Sequence, residues 1–242
     1  MDLNGKSAVV TGGAMGIGKA CAVELARAGC RVTVADLNEE EGKRTAEEIG
    51  GLFVKTDIGS EADVDHLYET VKQHFGGTDI LVNNAAIQTD ISFEETTPAS
   101  FKKVIDTNLY GTFLMISVFS REMKPGSTIL NMLSVHYEQP RLNKFAYDAS
   151  KAGIAMLTKE TALALSSKGI TVNGISYGAV RTPMNAEWCD DPVKSAGVRK
   201  NIPLGWIAEA EEIAVYVKVI LESFSEHATG SIFTIDGGRR LK

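Results

Sequence analysis

Seven short runs of β-branched and apolar residues, at positions 7–11, 31–36, 52–57, 80–85, 127–133, 170–176 and 231–236, alternate with stretches of helical spacing at 17–28, 39–49, 62–75, 100–123, 146–167 and 209–223. This alternation limits the fold more than any other feature. Strands joined through helices pair in parallel, and several of these runs are apolar on both faces, so helices must cover both sides of the sheet. The expectation is an α/β fold with a parallel seven-stranded sheet. No Pro-, Gly- or Ser-rich linker and no internal repeat divides the 242 residues, so 1–242 is read as one domain. The exception to the regular pattern is 179–208, which carries Pro183, Pro192 and Pro203 and no clean period. Such a segment reads as a binding loop or as a short helical excursion.

Composition narrows the classes of function. A net charge of −6 leaves no broad basic field for a nucleic-acid backbone. The longest uncharged stretch, 107–120, is too short for a membrane span and is interrupted by Asn108, Gly111, Thr112 and Ser117. The first residues carry neither a basic region nor a long apolar stretch, which predicts a cytoplasmic protein with a small-molecule partner. Cys21, Cys30 and Cys189 are odd in number and lack metal-site spacing, so no disulfide framework and no metal are expected.

After the first run comes Thr11-Gly12-Gly13-Ala14-Met15-Gly16-Ile17-Gly18, which opens directly into a helical stretch. Glycines at such a turn let the backbone approach a pyrophosphate, whose charge then rests on the free N–H groups of the helix start. Asp36 ends the second run eighteen residues after Gly18, close to the spacing of a carboxylate that binds a ribose 2′-hydroxyl. A carboxylate there repels a 2′-phosphate, and Ala14, Met15 and Leu37 supply no cation to receive one. The reading is therefore NAD rather than NADP. A solvated strand-end carboxylate is the plainer alternative for Asp36.

Tyr147 and Lys151 lie four apart on a helical stretch and so share a face. A nearby ammonium is expected to lower the phenol pKa toward working pH, making Tyr147 a general acid/base. Taken alone, such a pair is more often a packed aromatic beside a solvated lysine.

With these motifs in order, the chain resembles the short-chain dehydrogenase/reductase family over essentially its full length. Thr11-Gly12-x-x-x-Gly16-x-Gly18 matches the family's nucleotide turn, Asp57-Ile58 its adenine-contacting pair, and Tyr147-x-x-x-Lys151 its catalytic signature, while Asn83-Asn84-Ala85-Ala86 is similar to its N-N-A-G. The resemblance implies a Rossmann-type doubly wound sheet and a homotetramer built through the two long helices and the last strand. It also implies a catalytic set of Asn108, Ser134, Tyr147 and Lys151. In that set Ser134 binds the substrate oxygen, Lys151 lowers the tyrosine pKa and holds the nicotinamide ribose, and Asn108 anchors a water leading from the lysine to solvent. Val180 and Thr182 correspond to the segment that grips the carboxamide. Thr11, Gly12, Met15, Gly16, Ile17, Gly18, Asp36, Leu37, Asp57, Ile58, Asn84, Ala85 and Ala86, with Tyr147 and Lys151, complete the expected cofactor contacts.

The chain departs from the family pattern at Ala86, Leu133, Tyr177 and Trp206; of these, Tyr177 could narrow the nicotinamide side of the pocket or simply pack. Ser134-Val135-His136 is similar to the S-V-H of bacterial glucose dehydrogenases in the family, which points to a sugar or polyol. His136, Arg141, Asn185 and Trp188 are the candidate substrate contacts. The competing readings are a 3-oxoacyl-thioester reductase, against which Asp36 argues, and a non-catalytic nucleotide-binding protein, against which the complete catalytic set argues. An enoyl reductase of the family would need a wider Tyr-to-Lys spacing than four.

Overall fold

A computed structural model describes residues 1–224 and 226–242. Seven strands form one sheet: β1 (Ser7–Thr11), β2 (Arg31–Asp36), β3 (Leu52–Lys55), β4 (Ile80–Asn83), β5 (Thr128–Met132), β6 (Thr171–Tyr177) and, last in the chain, β9 (Ile232–Ile235). Their order is β3-β2-β1-β4-β5-β6-β9, and every pairing is parallel. β1, β4 and β5 are buried throughout, as the apolar runs require.

Alternate residues divide between two cores. Ala8, Val10, Ile80 and Val82 face α1 (Gly16–Arg27) and α9 (Ala210–Ser223), whereas Val9, Leu81, Ile129 and Val172 face α3 (Glu61–Phe75) and α5 (Gly111–Phe119). α2 (Glu39–Ile49) contributes Ala46 to the first core, and α6 (Phe145–Leu165) contributes Ala162 and Leu165 to the second. The helices begin where the chain supplies caps: Asn38 accepts from Glu41 N–H, and Ser60 from Asp63 N–H. Among the described residues no helix is long and apolar enough to cross a membrane.

Several regions differ from the expectation. The continuous helix over 100–123 is instead α4 (Pro98–Ile105), a π-helical segment Asp106–Tyr110, and then α5, which ends at Phe119. The interruption falls where Asn108 turns its side chain out of the helix toward the sheet's carboxyl edge, a usual reason for a π-bulge. The segment 179–208 is partly helical, with α7 (Ala186–Cys189) and α8 (Pro192–Arg199) closed by a two-residue parallel ribbon of β7 (Val180–Arg181) with β8 (Ala208–Glu209). Ala179, Cys189, Ile202 and Ile207 give it a small core of its own. The 52–57 run ends early as a strand because Asp57 leaves the ladder, its N–H going to Asp63 and its carboxylate to Gly59 N–H.

The connection from β3 returns across β1 to β4, so the chain diverges between β1 and β4 and opens a crevice at their carboxyl ends. The floor of that crevice is stitched together by Thr11. Its hydroxyl accepts from Asn84 N–H at 2.9 Å and from Ala85 N–H at 3.1 Å, and the Asn84 amide donates to Thr11 and Gly12 carbonyls at 3.0 and 3.1 Å.

Candidate active site

A cleft of about 330 Å³ runs along the carboxyl edge of the sheet, from Asp36 at one end to Tyr147 and Ser134 at the other. At the first end, α1 starts behind an extended Met15 with no side-chain cap and no acid in its first turn, so its leading N–H groups remain available to a ligand. Gly16 holds φ +55°, and Gly12, at φ +63°, lies so close to the next loop that a Cβ would come within 2.8 Å of the Ala85 Cα. At Gly18 a Cβ would meet the Gly12 carbonyl oxygen at 2.0 Å. The Asp36 carboxylate is fixed at the rim by Ala14 N–H at 3.0 Å and Asn38 N–H at 2.9 Å. Among the described residues no lysine or arginine lines this end. A bare helix start and an anchored carboxylate fit the pyrophosphate and ribose of a dinucleotide.

Of the residues expected there, Gly12, Met15, Gly16, Ile17, Asp36, Leu37, Asp57, Ile58, Asn84, Ala85, Ala86, Val180 and Thr182 line the cleft. Thr11, Gly18 and Lys151 do not: the first two act on the shape of the turn, and Lys151 is buried behind the cleft wall.

At the other end, Ser134 follows β5 while Tyr147 and Lys151 stand one turn apart on α6, all three buried. The Ser134 hydroxyl stands beside the phenol and accepts from His136 N–H at 3.3 Å. Lys151 Nζ donates to the Met132 carbonyl at 2.7 Å and lies 5.6 Å from the centroid of the Tyr147 ring. Burial pushes the phenol up to about 12, opposed by the neighbouring Ser134 hydroxyl, and pushes the Lys151 ammonium down to about 8. The expected lowering of the phenol by the lysine is therefore not met in the protein alone. Helical spacing brings the two groups together, but both have left water, and that loss outweighs their proximity.

Asn108 is fully buried and acts as a clasp. Its amide accepts from Ile87 N–H at 2.8 Å and donates to the Ile87 carbonyl at 2.9 Å and to Ser150 Oγ at 3.0 Å, and Ser150 in turn donates to the Tyr147 carbonyl at 2.7 Å. Both amide hydrogens are thus committed to holding the loop after β4 against the turn of α6 that carries Tyr147.

The substrate candidates separate. His136 and Arg141 line the cleft beside Tyr147, and the His136 ring sits edge-on to the tyrosine with centroids 6.3 Å apart. His136 Nδ1 faces the Gln139 carbonyl at 3.1 Å, and burial, the largest influence, holds its pKa down to about 4, so at neutral pH Nδ1 donates and Nε2 is an acceptor. Asn185 and Trp188 also line the cleft, but the Asn185 amide braces its own loop by donating to the Val180 carbonyl at 3.0 Å, and Trp188 packs on the core of 179–208. Tyr177 both lines the cleft and packs against the first core. Trp206 is half exposed and takes no part.

Two charged cleft residues were not anticipated, Lys144 and Arg239. A signal existed for each. Lys144 begins α6 three residues before Tyr147, and Asp236-Gly237-Gly238 is a turn placed at the carboxyl end of a parallel strand, the side on which such sheets bind ligands.

A family model described as enoyl-(acyl carrier protein) reductase matches residues 12–240. 3beta-hydroxysteroid dehydrogenase 1 of Eggerthella lenta is 37% identical, with 99% of this chain and 95% of the relative covered. The chain belongs to the short-chain dehydrogenase/reductase family. The NADP-dependent (R)-specific alcohol dehydrogenase of Lentilactobacillus kefiri is 33% identical over 98% of this chain and 97% of its own. The solved structure of a dehydrogenase/reductase from Sinorhizobium meliloti superposes with a TM-score of 0.93 at 33% identity, covering 98% of this chain and 97% of that one. Members of the family bind a nicotinamide cofactor and act on small molecules. The names of these relatives differ in substrate, so the residues of this chain have to decide the substrate class.

Proposed function

We propose that the protein is an NAD-dependent oxidoreductase that interconverts a secondary alcohol of sugar or polyol type and its carbonyl, with Tyr147 as general acid/base. The observation that carries this reading is the buried phenol of Tyr147 at the cleft wall, beside Ser134 and one helical turn from Lys151. When bound, the nicotinamide supplies the hydride chemistry; the protein's part is placement and proton traffic.

In the reductive direction Tyr147 Oη gives its proton to the substrate oxygen, which the Ser134 hydroxyl orients by hydrogen bonding. The phenolate left behind is stabilised by the nearby Lys151 charge. In the oxidative direction the same oxygen takes the proton back. Asn108 is a positioning residue, because it acts through Ile87 and Ser150 on the two walls between which the substrate lies. His136 offers Nε2 as an acceptor for a second hydroxyl, which supports a polyhydroxylated substrate. The segment 179–208 serves as the substrate loop.

Asp36 supports NAD over NADP. Its carboxylate, with no cation along that end of the cleft, favours a ribose diol and repels a 2′-phosphate. The exposed apolar side chains of Phe113, Met156 and Leu163 on the long helices support assembly into a homotetramer. The proposal is tested by following reduced-nicotinamide absorbance with NAD or NADP on a panel of sugars, polyols, simple secondary alcohols and 3-oxoacyl thioesters. Turnover with NAD on a polyhydroxylated alcohol is expected, whereas activity confined to NADPH and acyl thioesters contradicts the proposal.

A further inference from the structure

The cleft is charged asymmetrically. Its acids, Asp36 and Asp57, follow β2 and β3, whereas its cations, Arg141, Lys144 and Arg239, gather with Ser134 and Tyr147 on the opposite flank of the sheet. Lys144 is already paired, its Nζ lying 3.1 Å from Asp90, and Arg240 leans toward Glu138 at 3.7 Å. Among the described residues, neither Arg141 nor Arg239 has a carboxylate within salt-bridge distance.

The backbone that carries each arginine is nevertheless held in place. Arg141 donates its backbone N–H to Asp148 at 2.7 Å. Asp236 accepts from Gly238 N–H and Arg240 N–H, each at 2.8 Å, and so closes the turn that carries Arg239 while spending both carboxylate oxygens inside that turn. Gln139 joins the two segments by donating to the Arg240 carbonyl at 2.7 Å. The Arg239 guanidinium is pushed below its ordinary value first by burial and then by the charge of Arg141, against the opposing charge of Asp236. His136 beside them is neutral and relieves none of this. Arg239 is part-buried and Arg141 exposed beside it, and two like charges kept together are unfavourable until an anion joins them. The planar guanidinium fork is matched to the oxygens of a carboxylate or a phosphate.

We propose that Arg141 and Arg239 form a subsite for an anionic group of the substrate, so that the alcohol turned over at Tyr147 belongs to a molecule bearing a carboxylate or a phosphate. This rests on the oxidoreductase reading of the cleft and narrows its substrate class.

The test uses ribonate, ribitol 5-phosphate and ribitol, which share a polyhydroxy chain and differ in the charged end. In calorimetric titrations of the protein with and without NAD, at least one of the two anions binds about tenfold or more tightly than ribitol, as loss of a charge-assisted bidentate contact would predict. The tighter of the two separates carboxylate from phosphate. Arg141→Gln and Arg239→Gln each remove that advantage without changing NAD affinity, and Arg239→Lys restores part of it. Equal affinity for the three compounds, no binding of either anion, or an advantage that survives both glutamine variants overturns the subsite. Turnover measured in parallel keeps the two readings apart. Oxidation of ribitol without any preference for the anions counts against the subsite alone, while absence of both NAD binding and turnover counts against the oxidoreductase reading.

Discussion

The two ends of the cleft are built in opposite ways. The nucleotide end is made mostly of backbone: one turn, one helix start and one strand-end carboxylate, all within residues 11–36. The catalytic end is made of side chains drawn from α6, the π-segment and the turns after β5 and β9, and these meet only when the sheet is complete. A backbone site tolerates substitution at most of its positions and fails at its glycines, whereas a side-chain site fails at each member. The substitutions that follow are chosen to break that contrast.

The largest effect is expected at the side-chain end. Lys151→Met removes the charge that stabilises the tyrosinate and lowers kcat by about 10²- to 10⁴-fold, the range of general acid–base contributions. Steady-state assays with NAD near saturation check this, and near-normal kcat would move the proton traffic elsewhere. At the backbone end, Asp36→Asn keeps the shape of the strand end but removes its charge. The ratio of kcat/KM for NAD over NADP then falls by about tenfold or more, close to one like-charge contact. An unchanged ratio would place cofactor choice outside Asp36.

The pH profile separates the two directions of the reaction. Oxidation needs the deprotonated phenol, which burial holds up to about 12, and the charged lysine that stabilises it, so its rate climbs with pH to about 8 and levels off above that. Reduction needs the protonated phenol and the charged lysine. It stays level on the acid side and declines above about pH 8, where Lys151 loses its proton. Initial rates in both directions across the neutral and alkaline range show whether these limbs diverge; parallel profiles would remove Tyr147 and Lys151 from rate control.

Smaller effects fall on stability. Gly18→Ala drives a methyl into the Gly12 carbonyl and should cost about 1–3 kcal/mol in thermal unfolding, together with weaker NAD binding. Asn185→Ala loses one loop-bracing hydrogen bond, about 1 kcal/mol, with little change in kcat.

The same contrast governs what could be read from the sequence. The nucleotide end was legible because turn, helix start and acid are contiguous, and the sheet was legible because strand and helix periods differ. The π-segment was not, because the apolar period of 100–123 runs through it unchanged and only the contact of Asn108 with Ile87, twenty-one residues away, accounts for the bulge. β7 and β8 are two residues each, too short to show a period. α8 had a signal in Asp191-Pro192, a cap followed by proline at the first helical position, which the surrounding prolines concealed. Proximity of Tyr147 and Lys151 followed from spacing, but their burial did not, and burial sets both pKa values. Arg239 lies ninety-two residues after Tyr147, and only the closed sheet brings it to the cleft.

The central claim is that Tyr147 transfers the proton at one end of a cleft whose other end holds the nucleotide independently. The most direct measurement compares wild type with Tyr147→Phe, reading turnover on the substrate found in the cofactor-resolved screen and, in parallel, NADH affinity by fluorescence titration. The account predicts that turnover falls by about 10³-fold or more while NADH affinity stays within about twofold. Turnover that survives the loss of the phenolic oxygen would contradict it.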